Sequence, residues 1–106
     1  MISFSDFQKL DIRIGTIIEA TPVEGSEKLL RLMVDFGDES RQIVAGIAAW
    51  YAPEALAQKQ IPVILNLEPR AIKGMESQGM ILATDDNERA VLLHPERQVV
   101  DGAKVR

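Results

Sequence analysis

Leu10, Ile12 and Ile14 alternate with Asp11 and Arg13, and because alternate residues of a strand face one side of a sheet, this period of two marks a half-buried β-strand. Four more strand-sized segments follow, with only one helix-forming segment among them, and that order constrains the fold more than any other feature. Gly15 interrupts the first run and Ile17 and Ile18 shift its phase, which predicts a strand with a bulge at the glycine. After the loop Thr21 to Ser26, Leu30, Leu32, Val34 and Phe36 alternate again, stop at Gly37-Asp38-Glu39-Ser40, and give way to a third strand, Arg41 to Ile47. Ala52 to Lys59 has Pro53 and Glu54 early and good helix formers after them, the order of a short helix. Ile61 to Leu67 is the fourth strand, with Pro62 tolerable near its start, Glu68 to Gln78 a loop, and Gly79 to Thr84 the fifth strand. Asp85-Asp86-Asn87 then turns the chain into two extended pieces, Ala90 to Leu93 and Val99 to Val105. At the other end, Ser3 to Asp6 has capping-box spacing and Phe4, Phe7 and Leu10 recur at helical offsets, predicting one short helical turn that docks through its two phenylalanines.

Five strands with one helix between the third and fourth form the OB-fold arrangement, an all-β barrel whose usual ligand surface is the face of strands two and three flanked by loops 1–2 and 4–5. The expected layout is one domain over residues 1–106, with the barrel at about 10–84 and a C-terminal extension at about 85–106. With 46% apolar and 26% charged residues, a chain of 106 buries roughly two-thirds of its unfolded surface in one core. It has no cysteine, which excludes zinc ribbons, iron–sulfur clusters, thiol nucleophiles and a disulfide scaffold, and fits a reducing compartment. The cytoplasm is therefore the expected location. Ile61 to Leu67 and Ala90 to Leu93 are far shorter than a membrane span, and the N-terminus lacks the pattern of a signal peptide. Met1 directly before the first helical turn carries the expectation of a complete protein. Twelve basic against sixteen acidic residues give a net charge of −4, the wrong sign for nucleic-acid binding through bulk charge. Any such binding requires a local patch.

Catalysis finds little support. His94 is the single histidine, with no serine in an elbow motif and no cysteine to activate, so it fits a surface or capping role. The carboxylates Asp38-Glu39, Glu24 to Glu27 and Asp85-Asp86 lie in turns as solvated charge rather than as a cation site. Gly74 to Gly79 lacks the lysine of a phosphate-cradling loop. The expectation is no enzyme, no metal and no cofactor. The basic residues are placed more tellingly: Lys28 ends the first loop, Arg31 lies on strand two, Arg41 opens strand three, and Arg70 and Lys73 sit between strands four and five. All five fall on the surface where an OB barrel binds oligonucleotides, although Glu68 and Glu76 share that loop. Trp50 and Tyr51 fit either a stacking platform for bases or a seal on the end of a small core, and the seal is favoured. Met33 and Met75 are expected to pack, with Met80 beginning a strand.

The pieces Asp6-Phe7-x-Lys9-Leu10-Asp11-Ile12-Arg13-Ile14-Gly15, Glu27-Lys28-Leu29, Arg41-Gln42-Ile43-Val44-x-Gly46-Ile47, Asn66-Leu67-x-Pro69-Arg70 and Glu76-Ser77-x-Gly79-Met80-x-Leu82 stand in one order. Together they resemble the tRNA-binding domain appended to the C-terminus of bacterial methionyl-tRNA synthetases and also found as a free-standing homodimer. The resemblance covers Asp6 to about Lys104. It implies an OB-fold that binds tRNA by shape at its outer corner, without catalysis and without a cofactor, and a role beside an aminoacyl-tRNA synthetase in trans. Carried over by position, the tRNA contacts implied are Lys28, Arg41, Asn66, Arg70, Ser77 and Met80, to which the placement of Lys73 adds a seventh. Arginine and lysine suit phosphates, Asn and Ser suit riboses or base edges, and a methionine suits the face of an unstacked base. The chain departs from the pattern at Gly25-Ser26-Glu27, where many members resemble Asn-Ala-Asp, and at Ala45, Glu68 and Gln78 in place of serine, lysine and glutamate. Glu68 beside Arg70 opposes phosphate binding. A related secretion chaperone shares the barrel and binds peptides, which makes a peptide-binding assembly module the alternative reading. The apolar set Val91, Leu92, Leu93, Val99, Val100 and Val105, with Phe4 and Phe7, is too large for a solvated surface. It predicts a homodimer joined through Phe4, Phe7, Leu93, Val99 and Val100.

Overall fold

A computed structural model describes all residues, Met1–Arg106. The N-terminal helix α1, Phe4–Gln8, starts where Ser3 Oγ accepts the Asp6 N–H at 3.1 Å. Nine strands follow: β1 Ile12–Pro22, β2 Leu30–Asp35, β3 Ser40–Ala45, β4 Gln60–Ile64, β5 Arg70–Ile72, β6 Met75–Ser77, β7 Met80–Ile81, β8 Ala83–Asp86 and β9 Arg89–Leu92. Five of them form the sheet β3-β2-β1-β4-β7, all antiparallel, which curls into a nearly closed barrel of the OB type. The alternation read from the sequence is the burial pattern observed: Leu30, Leu32 and Val34 of β2 face the core and Arg31, Met33 and Asp35 do not. Ile17, Ile43, Leu56, Ile61 and Val63 complete the centre of that core, and Leu92 of the extension joins it.

The bulge in β1 lies elsewhere than expected. Pairing with β2 shifts between Ile17 and Glu19, so Ile18 is the extra residue and turns outward. Gly15 keeps regular pairing with Ile61, and its purpose is space. A Cβ built there would lie 2.6 Å from both Phe36 Cε1 and Val34 Cγ1. The first half of β1 pairs with β4 and the second half with β2, a change of partner that bends the sheet toward closure.

The helix expected over Ala52 to Lys59 shrinks to one 3₁₀ turn, Pro53–Ala55. Gln58 N–H donates to Ile17 O at 2.7 Å and Lys59 O accepts from Ile17 N at 2.9 Å, so the backbone is claimed by β1 before a second turn can form. Pro62 sits inside β4 with its nitrogen on the β7 side, because N and O of one strand residue point the same way and Leu82 N donates to Pro62 O at 3.3 Å. The missing N–H forfeits one bond at the end of a short ladder.

Three further expectations are corrected. The loop Glu68 to Gln78 contains the β5–β6 hairpin, turned by Lys73 (φ 51°) and Gly74 (φ 78°). The fifth barrel strand is only β7, since Ala83–Asp86 leaves the barrel to pair with β9 through a turn at Asn87 and Glu88, whose φ values are 52° and 65°. The extended piece Val99 to Val105 lies back along β1 as a tail, with an isolated antiparallel bridge between Arg13 and Lys104. There Gly102 N donates to Ile14 O (2.7 Å), Ile14 N to Ala103 O (2.9 Å) and Val105 N to Ile12 O (2.8 Å). Gln60, buried, secures it by donating to Val99 O (2.7 Å) and accepting from Val99 N (3.0 Å). Finally, α1 does not dock through its phenylalanines: it has no buried residue, and Phe4, 72% exposed, stacks on Phe7 with ring centroids 6.4 Å apart. One turn and a half is too short to cover the barrel, so the rings meet each other. No helix is long and apolar enough to cross a membrane.

Candidate nucleic-acid interface

The seven residues singled out by sequence divide by what their side chains already hold. Lys28, Arg70 and Lys73 are exposed, and none has a carboxylate within ion-pair distance. Lys28 is set by Ser26, whose Oγ accepts from Lys28 N and Leu29 N, both at 3.2 Å, and by Ala48 N, which donates to Lys28 O at 3.1 Å. Arg70 opens β5 and Lys73 occupies the tip of the hairpin.

The other arginines are committed. Arg41 Nε donates to Glu39 Oε1 at 2.7 Å, while Nη1 donates to Leu65 O (2.7 Å) and Gln78 O (3.2 Å). Its hydrogen bond holds the Glu39 carboxyl below the ordinary carboxylate range. Arg41 therefore staples β3 to the end of β4, and its charge is largely answered before any phosphate arrives. Arg31 likewise donates to Gln42 Oε1 (2.6 Å) and meets Glu19 Oε1 at 3.4 Å.

Two of the expected contacts already hold backbone groups, Ser77 from a buried position and Asn66 from an exposed one. Ser77 is 5% exposed, its Oγ accepting from Val44 N and donating to Gly79 O, each at 3.0 Å. Its single donor is spent. Asn66 accepts from Asp11 N at 2.8 Å and donates to Lys9 O at 2.6 Å, tying the end of the fourth strand's run to the start of β1. Both residues serve the scaffold, because a strand-end polar group satisfies the backbone nearest to it.

Met80 is 41% exposed and, with Leu67, Ile72 and Val44, walls a cleft of about 50 Å³ that also presents Arg70, Glu68 and the buried Ser77. Across Leu67 a second cleft of about 260 Å³ is lined by Arg41, Glu39, Gln78 and Glu76. The structure thus brings Arg70, Ser77 and Met80 together and sets Arg41 next to them, with Lys28 on a separate loop. Leu67 was not singled out from the sequence, although it lies beside Asn66 and Arg70. Gln42 and Gln78, which join β3 to β6, were also missed as working residues; edge-strand glutamines are the only signal for them.

Tyr51 seals the core end as expected, packing against it while its hydroxyl accepts from Leu92 N at 3.0 Å. Trp50 does not, at 42% exposed. His94 Nδ1 lies 2.7 Å from Gln60 O and so donates to that edge carbonyl of β4, a capping role. No three metal-ligating side chains converge anywhere in the chain.

A family profile described as "Putative tRNA binding domain" matches residues 12–104. The methionine–tRNA ligase of Methanothrix thermoacetophila is 54% identical over 106 residues, which is 100% of this chain and 16% of that protein. That of Archaeoglobus fulgidus is 53% identical over 104 residues, 98% of this chain and again 16% of the relative. The chain thus spans about a sixth of the length of the synthetases it matches. Among solved structures, the MetRS related protein from Pyrococcus horikoshii superposes with a TM-score of 0.95 at 34% identity, covering 100% of this chain and 98% of that one. Chaperone CsaA from Bacillus anthracis gives a TM-score of 0.91 at 33% identity, with 100% and 99% covered. A profile matched along nearly the whole barrel, and a full-length structural relative at that identity, place the chain in a family its motifs already resembled: it belongs to the tRNA-binding domain family.

Proposed function

We propose that this chain binds folded tRNA at its outer corner by shape, without catalysis, and serves a methionyl-tRNA synthetase in trans. The observation that carries the reading is the division among cations. Lys28, Arg70 and Lys73 stand unpaired, while the neighbouring Arg31 and Arg41 are each matched to a carboxylate. Arg70 in the wall of an apolar cleft, with Lys73 at the tip of the same hairpin and Lys28 on a separate loop, suits a phosphate backbone with a sugar or base face lying on Met80 and Leu67. Folded tRNA is expected to bind more tightly than the same tRNA heat-denatured, as shape recognition requires; equal affinity for the two would sink the shape reading. The likeness to a chaperone and the exposure of Leu67 and Met80 favour a second reading, an extended apolar peptide in the same cleft. An unfolded peptide that displaces tRNA would support it.

Glu68 lines the cleft that holds Arg70, so Glu68→Lys is expected to tighten tRNA binding by about two- to fivefold, the scale of an exposed charge interaction. Filter binding at low salt checks this, and weaker binding by the folded variant would contradict the placement of RNA beside that cleft.

The same reading includes a homodimer. With the tail docked on β1, Phe4, Leu93 and Val100 stay exposed, Val100 at 76%, while Phe7 and Val99 are half-buried. Such a set on one small chain favours a self-complementary interface. Sedimentation equilibrium is expected to report twice the chain mass, and Val100→Asp to give a folded monomer. A wild-type monomer that still binds tRNA fully would contradict the dimer.

A further inference from the structure

We infer that Ser77, together with Gln42 and Gln78, is a positioning residue that aims the cationic β5–β6 hairpin at RNA without touching it, an inference resting on the tRNA-binding reading. The hairpin carries two of the three cations of the proposed interface, Arg70 and Lys73, yet it is a separate two-stranded sheet with no ladder to the barrel. Two-stranded hairpins are marginal alone. Apart from the hairpin's own ladder, no hydrogen bond ties Leu67 to Met75 to the rest of the chain; every polar attachment to the barrel lies on the returning arm, at Glu76 to Gln78.

That arm runs beside β3, an edge strand of the main sheet, where one backbone bond joins them, Gln78 N to Gln42 O at 2.8 Å. Side chains supply what a ladder would. Gln42 N donates to Gln78 Oε1 (3.1 Å), Gln42 Nε2 donates to Glu76 O (2.8 Å), and Val44 N donates to Ser77 Oγ (3.0 Å). The glutamine bonds are open to water, which competes for them; the Ser77 bond to Val44 is buried. Ser77 therefore fixes the base of the hairpin most firmly, and with its only donor given to Gly79 O it has none left for a phosphate or a base. Gly79 leaves no slack behind it: a Cβ there would sit 3.0 Å from Ile64 O and from Ile43 Cδ1.

The test is a double-mutant cycle on tRNA affinity. Ser77→Ala is expected to weaken binding by between about two- and tenfold, the span of one net hydrogen bond, and to speed amide hydrogen exchange from Arg70 to Glu76. In an Arg70→Ala/Lys73→Ala background the same substitution is expected to cost nothing further, because the cations it positions are gone. Ser77→Thr, which keeps the hydroxyl, restores affinity. An undiminished loss in that background would show direct contact and overturn the inference alone, as would unchanged affinity in Ser77→Ala. If Arg70→Ala/Lys73→Ala itself leaves affinity unchanged, tRNA is held elsewhere and the inference falls while tRNA binding stands; if the wild-type chain shows no affinity for tRNA, the tRNA-binding reading fails and the inference with it. Should Ser77→Ala not fold, Gln78→Ala, which removes a solvent-exposed bond, takes its place in the cycle: a loss that vanishes in the double-alanine background supports the inference, and one that persists there overturns it.

Discussion

Replacing Lys28, Arg70 and Lys73 together by alanine is expected to lower affinity for folded tRNA by about a hundredfold at low salt, since three charge–phosphate contacts of up to about 1 kcal/mol each multiply to that order. Thermal melts should move little, because all three side chains are exposed and unpaired. Arg41→Ala should behave in the opposite way. Its guanidinium holds Leu65 O and Gln78 O across the barrel seam, so its removal lowers the melting temperature first and affects RNA only through the loosened seam. Nitrocellulose binding and calorimetric melts on these variants separate the two classes. A triple variant with wild-type affinity would show that the unpaired cations are not the interface.

Gly15→Val is expected to cost about 1 to 3 kcal/mol of stability. The side chain would enter the space already filled by the Phe36 ring and Val34, both buried, with 2.6 Å where normal contact needs about a full ångström more. For a domain of this size each kcal/mol moves the melting temperature by roughly 4 to 8 °C. An unchanged melt would mean that Phe36 swings aside freely and that the close approach is not what fixes glycine there.

The first half of β1 and the whole of β2 were legible because each buries one face, and burial writes itself into the sequence as alternation: Leu30, Leu32 and Val34 could be placed inside by spacing alone. β4 is buried at every position and was legible instead as a short continuous apolar run. The β5–β6 hairpin buries little, with Arg70, Ala71 and Glu76 all exposed, so no periodicity marks it. Its turn residues, Lys73-Gly74, lack the asparagine or aspartate that signals such turns most strongly. Local preference pointed to a helix after Pro53, and hydrogen bonds to Ile17, distant in the chain, overrode it. At the site the positions of the cations could be read, but not their engagements. Glu39 and Arg41 stand two residues apart, the spacing that shares a strand face, and that signal was available. The inward turn of Ser77 depends on where β6 meets β3, which no local pattern encodes.

The central claim is that a few unpaired cations meet phosphates, and the salt dependence of affinity for folded tRNA tests it most directly. Each phosphate neutralised releases counterions and contributes roughly −0.7 to −0.9 to the slope of log affinity against log salt. Measured between about 50 and 300 mM salt, three contacts predict a slope of about −2 to −3. A slope near zero, with binding retained, would contradict the account and point to the apolar cleft as the whole of the site.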